Sequence, residues 1–116
     1  MTARSVAFDK SIERATGAFA EDLARWRPPT SDAEREFLRC TAEMAAWTMA
    51  WSKEAKEGGA TPEILKHLKA SLVQLRRALN YFGAARCRFS LVALCMMDAA
   101  QVVEAIETLG PAEGSA

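Results

Sequence analysis

Residues 72–89 read LVQLRRALNYFGAARCRF, and whether the chain turns inside this stretch decides the architecture. Leading into it, Leu65, Leu68, Leu72, Leu75, Leu79 and Phe82 recur at alternating steps of three and four, the spacing of one helix face. Leading out of it, Phe89, Val92, Met96, Ala99, Val103 and Ile106 do the same. Continuing the first stripe at heptad spacing brings Arg86 inward, whereas extending the second backwards arrives at Ala85. The two stripes are out of phase by one residue at Gly83. Glycine is the usual residue just past a helix end, because it takes up the left-handed backbone without a steric cost. A single helix from Pro62 to Leu109 would be about 70 Å long at 1.5 Å per residue, unusual in so small a domain. The stretch therefore predicts a helical hairpin.

Working outward, the rest of the chain supplies two more helices. Phe8, Ile12, Ala15, Phe19, Leu23 and Trp26 form one stripe, which Pro28-Pro29 ends. "SDAE" at Ser31 to Glu34 has the form of a capping box, and Gly58-Gly59 closes the helix it opens. In that helix the stripe is Phe37, Thr41, Met44, Thr48, Trp51 and Ala55, widened by Leu38, Ala45 and Trp47. "TPE" at Thr61 to Glu63 offers an N-cap, a first-turn proline and an acid suited to the helix dipole. The expected helices are 4–26, 31–57, 61–82 and 84–109, an all-α bundle occupying 1–110, with a disordered tail at 111–116. Roughly a fifth of the residues are alanine and β-branched residues are sparse, which agrees with that class.

The fourth helix is more apolar than a bundle helix needs. Beside its main stripe lies a second apolar face of Leu91, Leu94, Cys95, Val102 and Leu109, so it is expected either at the centre of the bundle or at an oligomer interface. Asp98 falls within that second face, where a buried carboxylate would need a partner, an arginine being the expected one.

Charge is the other feature. The chain is neutral overall, with 15 basic and 15 acidic residues, yet Lys66, Lys69, Arg76, Arg77, Arg86 and Arg88 occur with no acid between Ile64 and Met97. The four on the third helix share an arc of about 100° flanking its core stripe. Arg86 and Arg88 would lie in the first turn of the fourth helix, where cations oppose the dipole unless an anion sits there. These six residues are the candidate contact for an acidic partner or a polyanion.

Chemistry of other kinds has little support. There is no P-loop, GxGxxG, GxSxG or HExxH. Cys40, Cys87 and Cys95 lack CxxC or CxxH spacing, and with His67 they sit far apart, so neither a metal site nor a disulfide framework is expected. No cofactor is implied. "HLKAS" at His67, with "FGAARC" downstream, loosely resembles the histidine motif and Gly-Ala turn of phosphotransfer domains. That family pattern has one residue between His and Leu-Lys, then glycine, and a shorter distance to Gly-Ala, so the chain departs from it. The resemblance implies a signalling role for His67, ranked below the binding readings.

No apolar run reaches the roughly 20 residues of a membrane span, and the N-terminus lacks a signal-peptide core. The sequence thus predicts a cytoplasmic, non-enzymatic helical-bundle subunit or adaptor. It would act by protein association, as a homo-oligomer or part of a complex. The alternative is a small nucleic-acid-binding subunit of a nucleoprotein complex.

Overall fold

The structure, a computed structural model, describes the backbone of residues 3–57, 61–83 and 90–109 and the side chains of 10–57, 61–83 and 90–108. It contains four helices: α1 (Ala3–Trp26), α2 (Asp32–Glu57), α3 (Pro62–Phe82) and α4 (Leu91–Leu109). The predicted segment 84–89, the tail at 111–116 and the glycine pair 58–59 lie outside the described residues.

The turn falls where the phase slip placed it. Gly83 caps α3 in the left-handed region, at φ 73°, and its N–H donates to the Asn80 carbonyl at 3.2 Å. At the other end of α3 the Thr61 hydroxyl accepts from the Ile64 N–H at 3.2 Å, with Pro62 in the first turn. The start of α2 is only half the expected box. Ser31 Oγ accepts from the Glu34 N–H at 3.1 Å, but the Glu34 carboxylate takes the hydroxyls of Thr30, Ser31 and Tyr81. Those bonds, Thr30's foremost, hold the Glu34 carboxyl below its ordinary range.

α2 is the most widely packed helix and touches the other three, while α1 packs chiefly on α2 and meets α4 only over a short length. Hence α2, α3 and α4 form a triangle with α1 laid along α2, and the whole is flattened, 53 × 35 × 22 Å. The central place considered for the fourth helix belongs to α2.

Periodicity located most of the α3 core: Leu68, Leu72, Leu75, Leu79 and Phe82 are buried, while Leu65, first of the stripe, is half-buried. In α2 the expected Thr41, Thr48, Leu38 and Ala45 are buried, but the large members of the stripe are not, and Ala42 and Ala46 take their place. Leu38, Ala42, Ala45 and Ala46 face inward, while Phe37 is 40 % exposed and Met44, Trp47 and Trp51 are only partly covered. Three alanines with no exposed surface let neighbouring helix backbones come close, which large side chains would prevent. Trp26, the last residue of the α1 stripe, is also exposed.

A clasp joins the α1–α2 connection to the end of α3. The Arg27 guanidinium lies 4.0 Å over the Tyr81 ring and donates to the Tyr81 carbonyl at 3.1 Å. A cation there suits the negative end of the α3 dipole. Tyr81 also meets Phe37 edge-on at 5.0 Å, and Phe37 stacks on Phe82 at 5.6 Å.

Candidate functional site

Three surface features stand out, and each depends on how α2, α3 and α4 meet.

The first is the outward side of α4. Val92, Ala93, Met96, Ala99 and Val103 are buried against the bundle. On the other side Leu91 and Leu94 are each 44 % exposed and Met97 is 40 % exposed. Cys95 and Val102 are half-buried, and the Leu109 side chain lies outside the described residues. Asp98 is not enclosed, contrary to the sequence expectation. Its carboxylate is half exposed and accepts from Lys56 Nζ at 2.9 and 3.0 Å, so its partner is a lysine near the end of α2. Because α2 and α4 run side by side, Lys56 reaches it across the edge of the bundle. Burial, with the Asp98 charge adding to it, pushes the Cys95 thiol up to about 11.

The start of α4 is held by a carboxylate that sequence reasoning missed. Asp22 of α1 has no exposed surface. Its Oδ2 accepts from the Ser90 hydroxyl at 2.9 Å and from the Val92 N–H at 3.3 Å. Ser90 Oγ in turn accepts from the Ala93 N–H at 3.1 Å, which makes Ser90 an N-cap. An anion therefore does sit at the positive end of this helix, and it belongs to the chain itself. Arg86 and Arg88, expected in that first turn, lie outside the described residues, and α4 begins after them.

The second feature is the set of α3 cations. All four are exposed. Lys69 reaches toward α4 and pairs with Glu107 at 3.2 Å. Arg76, seven residues further along, continues that side. Arg77 turns toward α2. Among the described residues, Lys66, Arg76 and Arg77 form no ion pair.

The third feature is a groove between α2 and α3, whose lining among the described residues comes from those two helices alone. One part, of about 560 Å³, is walled by Met44, Trp47, Trp51 and His67. A second part, of about 310 Å³, is bounded by Phe37 and Arg77. Cys40, Met44 and Gln74 belong to both, so the two are continuous. Trp47 and Trp51, expected in the core, stand 5.7 Å apart as a wall of this groove. His67, exposed as expected, stacks on Trp51 at 4.9 Å. Stripes of large residues four apart were the available signal, but periodicity alone could not distinguish core from groove wall.

Among the described residues no group of three His, Cys, Asp or Glu is placed to hold a metal ion, and no helix is long and apolar enough to cross a membrane. No protein-family model, curated protein or solved structure matches the chain.

Proposed function

We propose that the protein is a non-enzymatic helical subunit or adaptor that works by associating with other protein chains, first of all with copies of itself through α4. The observation that carries this is the outward exposure of Leu91, Leu94 and Met97 on the most apolar helix of the bundle. Exposed large apolar side chains grouped on one face favour burial against another chain. The neighbouring Lys56–Asp98 pair gives that face a polar rim, the usual anatomy of a protein contact. Light scattering over a range of concentrations tests the reading. A mass above the monomer is expected, falling to the monomer in Leu91→Glu or Leu94→Glu without loss of helical circular dichroism. A monomer at every concentration rejects self-association.

A second reading, a nucleic-acid-binding subunit, draws on Lys66, Arg76 and Arg77, which form no ion pair among the described residues. It requires binding that weakens steeply with salt. No shift with RNA or DNA at low salt removes it.

A further inference from the structure

The α2/α3 groove is a separate surface from the α4 face, on another side of the α2–α3–α4 triangle. We infer that it receives an amphipathic helix from a partner protein, acidic at its N-terminal end and running parallel to α2.

Shape is the first argument. From Phe37 to Trp51 the groove follows α2 for about 21 Å, at 1.5 Å per residue, or roughly four helical turns. It is open to solvent along its length. A small molecule is normally buried over most of its surface, so an open trough of this length fits an elongated occupant. On the α3 side Ala70 is exposed and Ala78 lies deeper, so an incoming helix can approach closely at those two positions, with the longer His67, Gln74 and Arg77 side chains beside them. On the α2 side Met44, Trp47 and Trp51 present apolar surface to its inner face.

Charge is the second argument, and it sets the direction. Arg39 on the α2 rim is held by Glu36 at 2.6 Å and Glu43 at 2.8 Å. That leaves Arg77, beside Phe37, as the one lysine, arginine or carboxylate lining the groove that forms no ion pair among the described residues. A carboxylate on the occupant would complement it there. Acids in the first turn of a helix also favour that helix's own dipole, so the occupant's N-terminus belongs at the Arg77 end. From that end it runs toward Trp51, the direction of α2.

Fluorescence anisotropy with two labelled synthetic helices tests this. Each is about 14 residues long, to span the groove at 1.5 Å per residue, with leucines at three-four spacing. One carries two glutamates in its first turn, and the other carries lysines there. The glutamate peptide is expected to bind the full chain, with the lysine peptide weaker by roughly tenfold, the order expected of a complementary rim charge. Arg77→Glu should invert that preference, while Arg76→Glu, the same charge change on the side toward α4, leaves it unaltered. Ala70→Glu should abolish binding, and Leu94→Glu should not affect it. Should Ala70→Glu alter the circular dichroism, Gln74→Glu at a second exposed lining position replaces it. Failure of both peptides to bind overturns the inference. So does equal affinity for the two, equal response to changes at residues 76 and 77, or indifference to the groove substitutions.

Discussion

The Ser90 hydroxyl donates to Asp22 Oδ2 at 2.9 Å, joining the start of the last helix to the last turns of the first across 68 residues of chain. The same oxygen accepts the Val92 N–H, and both Asp22 and Ser90 are fully buried. Removing the carboxylate leaves two buried donors without an acceptor. Asp22→Ala is therefore expected to cost about 3 kcal/mol, and Ser90→Ala about 1 kcal/mol through the lost cap. Urea unfolding of both single variants and the double variant is the check. A coupling of about 1 kcal/mol is expected, and strictly additive losses would show that the two groups do not act together.

Gly83 is the next test, since it has φ 73° and, among the described residues, no atom within 4 Å of an added Cβ. A substitution there meets only backbone strain. Gly83→Ala is expected to lose about 1 kcal/mol, and Gly83→Asn less, because asparagine tolerates the left-handed region. Thermal melts of the two would rank them. A stabilising Gly83→Ala would mean that the hairpin is not the folded form.

Cys95 carries a pH dependence with a definite sign. Its thiol goes from an ordinary 9.0 to about 11 in the fold. The native state then holds the proton more tightly than the unfolded chain does between those values. That contribution is fully present below pH 9 and is lost as pH rises toward 11. Chemical unfolding across this range should show a shallower decline for Cys95→Ala than for the parent. In a Cys87→Ser background a maleimide should modify exposed Cys40 well before Cys95.

The Lys56–Asp98 bridge should matter little to stability. Both side chains are half exposed, so the Coulomb gain is screened by solvent. Asp98→Asn is expected to change unfolding free energy by less than about 1 kcal/mol. A loss several times larger in denaturant titrations would place the carboxylate in a much drier setting.

The helices could be read from the sequence because their punctuation is local. Gly83, Thr61-Pro62 and Ser31 each act on neighbours within a few residues, and the α3 stripe was regular enough to name its buried face. What could not be read depends on distance. Nothing around Asp22 marks it as buried, since its surroundings are completed by Ser90 and Val92. Asp98 misled for the converse reason: a carboxylate within an apolar face reads as enclosed until Lys56 is seen beside it. In α2, large Phe37 and Trp51 drew attention from Ala42 and Ala46, although close helix contact favours the smaller residues. The groove exists only between α2 and α3, so neither helix's periodicity could show it.

The Trp47–Trp51 pair has a practical consequence. The only other tryptophan is Trp26, at the far end of α1 and outside the groove lining. With Trp26→Phe, all remaining indole emission would come from the groove wall. Its intensity and wavelength would then report, without any attached dye, whether that trough is wet or filled.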